Sequence, residues 1–219
     1  MKIDSAAVPF VALAALPSIA AFVIGWTLAG VLLLLLPVAI ALFFRDPERA
    51  HPADATLVLA PADGRVMHAG PARPAEAPPG EWLQVTIFLS VLDVHINRSP
   101  AAGRVERVEY IPGSFKAAFR HDAHENERSE IWLDTGGSHI VFRQVVGLLA
   151  RRVVCRLAVG DRVAAGQRIG LMKFGSRMDV FVPPEASLLV KTGETVVAGV
   201  TPIARLTPSP AAMPPESPV

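Results

Sequence analysis

The chain has 219 residues, enough for one ordinary domain with an appendage. Lys and Arg total 21 against 20 Asp and Glu, so the formal net charge is +1; that balance supplies no broad basic field and argues against nucleic acid as a partner. Hydrophobic residues make up 51%, mean hydropathy is +0.39, and a single cysteine, Cys155, excludes an intrachain disulfide.

The excess hydrophobicity lies at the start. From Ser5 to Phe44 no residue is charged, and a membrane-spanning helix needs about 20 apolar residues. Two short spans fit, with Gly25-Trp26-Thr27 as the turn and Pro17 and Pro37 as kinks that lipid-embedded helices tolerate. A signal peptide would carry a shorter apolar region, about 7–15 residues, followed by a small-residue cleavage site. Here the run passes directly into Arg45-Asp46-Pro47-Glu48-Arg49. Residues 1–45 are therefore expected to be a retained helical hairpin in the cell membrane. It places Lys2, Arg45 and Arg49 on one side, the cytoplasmic side by the positive-inside tendency, and the rest of the chain with them.

Residues 46–206 read as mainly β. Short β-branched runs punctuated by Gly and Pro recur at 56–60, 82–89, 104–110, 130–133, 139–146, 151–157, 179–182, 188–190 and 195–197. Segment 70–81 reads as a flexible surface loop, and 114–129 as a polar helix or loop over a site. Cys155 lies in a strand-like run and reads as a small buried hydrophobe. The glycine turns within 159–170 and 190–200 resemble those of biotinyl/lipoyl-type β-hammerheads, as does Pro61-Ala-Asp-Gly64. The expected fold is thus a hammerhead-like β-domain of short strands behind a hydrophobic helical anchor. The proline-rich stretch 207–219 is expected to be a disordered tail.

Between the two glycine turns lies Met172-Lys-Phe-Gly-Ser-Arg-Met-Asp179. A Gly-Ser pair alone denotes a turn, but it permits a specific reaction. The Ser176 hydroxyl attacks the Gly175 carbonyl, and glycine tolerates the bent backbone this requires. The resulting ester eliminates, freeing Gly175 as a chain end, and the dehydroalanine left behind hydrolyses to pyruvoyl. A base for the hydroxyl proton and a donor for the oxyanion are needed.

Lys173-Phe-Gly-Ser-Arg-Met-Asp179 resembles the processing site of the short-form phosphatidylserine decarboxylases. So do Phe44–Arg49, Pro61–Gly64, Asp93-Val-His-Ile-Asn-Arg-Ser-Pro100, Glu125–Arg128 and Gly193–Thr195, in that family's order and from the anchor to about residue 205. The resemblance implies a self-cleaving proenzyme, with a β chain 1–175 and an α chain 176–219 that stay together. It implies a pyruvoyl cofactor made from Ser176, with no metal. The implied activity converts phosphatidylserine to phosphatidylethanolamine and CO₂ at the membrane lipid surface; a homo-oligomer is allowed and its order left open. The ketone condenses with the substrate amine and the adjacent carbonyl accepts the electrons released with CO₂.

His95 matches the segment that carries an essential histidine in the family, and the resemblance implies that it protonates the carbanion. Longer-chain relatives use an Asp-His-Ser set for cleavage; Asp63 and Ser176 match two of its members. The third is missing: Arg98 stands where a second histidine is expected, so the cleavage base is unassigned. Tyr110, Phe115 and Arg128 are candidates for the substrate pocket, and Lys116 and Arg120 for the lipid phosphate. The spacing of His121 and His124 suggests a metal site, but no carboxylate-histidine motif with ligand spacing accompanies them, and they read as solvated loop residues. Two other readings compete: a membrane-anchored hammerhead carrier modified at Lys173 or a non-catalytic adaptor, and a serine hydrolase, which the absent Gly-x-Ser-x-Gly elbow disfavours.

Overall fold

The computed structural model describes residues 2–148, 153–173 and 175–207. The tail beyond Thr207, Arg151–Arg152 of one expected strand and Phe174 of the Gly-Ser motif lie outside the described residues. Three helices come first: α1 (Val8–Val23), α2 (Thr27–Leu33) and α3 (Leu35–Phe43). The chain reverses at Gly25, and Ser18 Oγ donates to Gly30 O at 2.7 Å across the two arms. At the open end, β1 (Lys2–Ile3) pairs antiparallel with β2 (Arg45–Asp46), and Phe10 stacks on Phe44. The span Ser5–Val23 is long and apolar enough to cross a membrane, and most of its large side chains are exposed.

The remainder is mainly β, as the residue pattern predicts. An antiparallel eight-stranded sheet is formed by β4 (Gly64–Pro71), β5 (Leu83–Leu89), β7 (Gly103–Ile111), β8 (Arg128–Asp134), β9 (His139–Val145), β11 (Arg162–Val163), β13 (Ser176–Val182) and β15 (Thr195–Val196). Its order is β11-β7-β8-β9-β13-β5-β4-β15. Two three-stranded sheets accompany it. One joins β10 (Val153–Cys155), β12 (Arg168–Met172) and β6 (Ile96–Arg98); the other joins β14 (Ser187–Leu188), β16 (Pro202–Arg205) and β3 (Leu57–Leu59).

Alternation along the large sheet separates two faces. Val85, Ile87, Ile131, Leu133, Ile140, Phe142, Met178, Val180 and Val182 point to the inner face and form the main core. On the outer face, Arg177 is buried between Glu76 and Asp179, Thr86 Oγ1 donates to Asp179 at 2.8 Å, and Arg143 pairs with Glu130 at 2.6 Å. Burial works against the Arg177 charge, yet the two carboxylates outweigh it and raise its pKa.

This network corrects the reading of 70–81 as a flexible surface loop. Glu76 is buried, accepts from Gln84 Nε2 at 3.0 Å and pairs with Arg177, pinning the loop to the sheet. Of segment 114–129, residues 114–127 form a loop with a short 3-10 helix at His121–Glu125, held to the sheet by a T-shaped Phe88–Phe119 contact, and the last two residues open β8.

Candidate active site

Ser176 opens β13, between β5 and β9, with its side chain on the inner face. Its Oγ is buried and has no hydrogen-bond partner. Gly175 has φ +71°, a conformation that strains any L side chain. On its far side stands Gly147, just past β9, where an added Cβ would lie 1.9 Å from the Gly175 carbonyl oxygen. Two glycines thus bring the carbonyl before Ser176 hard against the neighbouring backbone. Nothing singled out Gly147 in the sequence; its only signal is a glycine directly after a buried strand.

His95 precedes β6 and is 1% exposed. Its Nδ1 lies 2.9 Å from the carbonyl of Asp93, which only accepts, so Nδ1 carries the proton and Nε2 the lone pair. Nε2 is buried without a partner, and the ring lies against Phe43 at 4.0 Å between centroids. Burial pushes the imidazole below its ordinary pKa, against weaker upward pulls from Asp93 and Asp63. The ring is therefore a neutral base at pH 7. Across the strand pair, Met172 N–H donates to His95 O at 3.3 Å, which ties the histidine to the strand leading into Gly175-Ser176.

Two further polar groups converge here. Ile96 and Leu171 pack outward on Ala7 and Phe44, so alternation sends Asn97 inward. Gln144 lies opposite Met178 on the inner face, the diagonal neighbour of Ser176. Gln144 Nε2 donates to Asn97 Oδ1 at 2.8 Å, while Gln144 Oε1 and Asn97 Nδ2 remain buried and unpaired. The one mark of Gln144 in the sequence is that it alone is polar among the alternating positions Ile140, Phe142, Gln144 and Val146.

The other candidates lie elsewhere. Asp63 is held bidentately by Arg49, at 2.6 and 2.8 Å, and accepts from Ala198 N–H. Arg98 is buried and donates to Asp46, Pro47 O and Gly166 O. Tyr110 is exposed on the inner-face row Tyr110–Ser129–Gln144. Arg128 sits in register with Val145 and Arg177, on the outer face away from Ser176, and donates to His124 O. Phe115 is partly exposed in the covering loop. Lys116 and Arg120 are paired to Asp122, and Lys116 also to Glu125. Burial raises the Cys155 thiol pKa, which suits a packing role. Among the described residues no group of three or more His, Cys, Asp or Glu is placed to hold a metal ion.

The site therefore combines a Gly-Ser bond whose glycine sits in the left-handed region, an unpaired buried hydroxyl and a buried histidine whose Nε2 has no partner. The model of the phosphatidylserine decarboxylase family matches residues 38–204. The chain belongs to the phosphatidylserine decarboxylase family. It is similar to a phosphatidylserine decarboxylase proenzyme of Symbiobacterium thermophilum, 50% identical over 201 residues, covering 90% of this chain and 93% of the relative. A proenzyme of the same description from Geotalea daltonii is 42% identical over 196 residues, 88% of this chain and 91% of the relative. Another, from Nitrobacter winogradskyi, is 43% identical over 201 residues, 90% and 81% of the two chains. As a member of the phosphatidylserine decarboxylase family the chain is a decarboxylase, a carbon–carbon lyase.

Proposed function

We propose that this protein cleaves itself at Gly175-Ser176 and then converts phosphatidylserine to phosphatidylethanolamine and CO₂. The observation that carries the reading is the unpaired, buried Ser176 hydroxyl directly after Gly175 at φ +71°; the buried, unpartnered Nε2 of His95, whose carbonyl accepts from Met172 N–H on the strand leading to Ser176, supports it. In self-cleavage, His95 Nε2 takes the Ser176 hydroxyl proton as Oγ attacks the Gly175 carbonyl. The peptide nitrogen leaves as the amine of Ser176, and Gly175 is carried as an ester on Oγ. Elimination across Cα–Cβ releases the Gly175 carboxylate, and hydrolysis of the dehydroalanine releases ammonia, leaving pyruvoyl on the 176–219 chain. His95 thereby assumes the part of the missing second histidine.

The residues present fit such a group. Four buried polar atoms, Ser176 Oγ, His95 Nε2, Asn97 Nδ2 and Gln144 Oε1, lack partners in a core that is otherwise apolar, and leaving such atoms unpaired is costly unless a ligand meets them. Once formed, the pyruvoyl carbonyl supplies the electron sink for loss of CO₂. His95 Nε2 passes the proton taken from Ser176 to the leaving amine and is neutral again; in turnover it takes a proton from the substrate ammonium and returns it to the carbon that loses CO₂. The apolar walls exclude water from that carbon. Asp63 acts at one remove, fixing Arg49 and adding negative potential at His95. Tyr110 stands at the open edge of the row that leads inward to Gln144, where a headgroup enters. Phe115 and Arg128 draw no comparable support from the geometry.

The helical hairpin seats the protein in the cell membrane, and Lys2, Arg45 and Arg49 at its open end support a cytoplasmic position for the catalytic domain. The deciding experiment is the intact mass of the purified protein. Two fragments are expected, the smaller beginning at residue 176 with a blocked N-terminus. Ser176→Ala is expected to give one uncut chain with no decarboxylation. A wild-type chain that decarboxylates while uncut would overturn the reading.

A further inference from the structure

The Asn97–Gln144 amide pair plays no part in the cleavage chemistry, and its place needs explaining. Both side chains are fully buried, and each bridges a gap between sheets: Gln144 from the large sheet, Asn97 from β6 opposite Gly170. An apolar pair of similar volume would fill this gap without two orphaned polar atoms, each costing on the order of 1–3 kcal/mol. The amide hydrogen bond satisfies one donor and one acceptor. Turned either way together, the two amides leave one N–H donor and one carbonyl acceptor buried without a partner, on a pair whose Gln144 is the diagonal neighbour of Ser176 on the inner face.

We infer that this amide pair recognises the amino-acid end of the substrate headgroup, its N–H bonding the carboxylate and its carbonyl the amine. The inference rests on the decarboxylase reading above and deepens it. A serine headgroup presents one acceptor group and one donor group on the same carbon, which is the complement of what the pair leaves open. Neutral amides also suit the reaction. The carboxylate must leave as uncharged CO₂, so a cation fixed on it would stabilise the ground state and oppose the reaction, whereas an amide orients it at little cost. The neighbouring cations are committed elsewhere: Arg98 to Asp46 and backbone carbonyls, Arg177 to Glu76 and Asp179 on the outer face.

The test uses the cleaved full-length protein in lipid–detergent micelles and two lipids that cannot react. One carries 3-hydroxypropionate as its headgroup alcohol, keeping the carboxylate without the amine; the other carries ethanol, lacking both. Equilibrium binding of each is measured for the wild type, Gln144→Met and Gln144→Glu. The wild type is expected to prefer the carboxylate lipid. Gln144→Met is expected to cut that preference roughly tenfold, and Gln144→Glu, which keeps the shape and faces the carboxylate with like charge, to abolish it. The ethanol lipid should bind all three alike. If Gln144→Met does not fold, the isosteric Gln144→Glu decides alone. A preference unchanged in a folded variant, or an equal loss for both lipids, overturns the inference and leaves the decarboxylase reading standing. A wild type that neither cleaves nor decarboxylates instead overturns the reading beneath it.

Discussion

Gly147 crowds the bond at which self-cleavage is proposed, and His95 is the base proposed for it. A Cβ at Gly147 would lie 1.9 Å from the Gly175 carbonyl oxygen, and because the clash is with backbone, no side chain can turn aside to relieve it and the Gly175 carbonyl must shift relative to Gly147. Gly147→Ala is therefore expected to fold but to self-cleave more slowly, on the order of 100-fold for a displacement near 1 Å. A gel time course of newly made protein reads this directly; an unchanged rate would remove Gly147 from the site. The slowed variant also makes the pH dependence measurable. Burial keeps His95 below its ordinary value of 6.5, so the neutral base persists into mild acid. The cleavage rate should stay level down to pH 6.5 and fall only below it, as Nε2 takes a proton before Ser176 can deliver one. An acid limb above 6.5 would show that another group is the base. His95→Gln should remain uncut, since the amide cannot accept the hydroxyl proton and pass it on.

Among the elements, β13 carries the most conflicting demands. One face presents Ser176, Met178 and Val180 to the core, and the other buries Arg177 and Asp179. Removing one partner of a buried charge set leaves the rest uncompensated. Glu76→Gln is expected to destabilise the protein by about 3 kcal/mol at pH 7, read from the denaturant midpoint in detergent. Although burial opposes it, Arg177 and the Gln84 and Arg73 hydrogen bonds hold the Glu76 carboxyl below 4.5 in the fold. Its contribution is thus present above pH 4.5 and lost as pH falls through the lower folded value, where wild type and variant should converge. This same network explains what the sequence concealed. The strands at 83–89, 103–111 and 139–145 follow their β-branched runs closely, because alternation alone places their apolar residues inward. Arg177 and Asp179 disguise the first half of β13 as a polar turn, since their partner Glu76 lies in a loop whose composition signals only exposure. β4 was hidden likewise: Gly64, Gly70 and Pro71 punctuate it, and pairing with β5 overrides those local preferences. Of the site, Ser176 and His95 were legible from local chemistry and motif; Gln144 and Asn97 were not, because their meaning depends on two sheets meeting.

For the molecule as a whole, the proposed cleavage raises a physical question, because the apolar helices all lie before the bond and the described residues after it form strands and turns. Its strands are shared with the other fragment at every level of the fold. β13 is hydrogen-bonded on both edges, to β5 and to β9; β15 pairs with β4, and β16 with β3. Met178, Val180, Phe181, Val182, Val190, Val196 and Ile203 are all buried, each contributing roughly 1.5–3 kcal/mol when withdrawn from water. That sum, about 10–21 kcal/mol, is comparable with or larger than the cost of holding two chains together, about 4–15 kcal/mol, before any strand hydrogen bond is counted. The proposed cut also falls at the first residue of β13 rather than within it, so the pairing of Arg177–Val182 with β5 is left intact. The small fragment should therefore stay with the membrane through high-salt and alkaline washes, and leave only with urea or a denaturing detergent. Gel analysis of the wash and the pellet checks this. Release of the small fragment under native conditions would mean that its strands do not hold it, and that the shared sheet is not what keeps the cleaved enzyme whole.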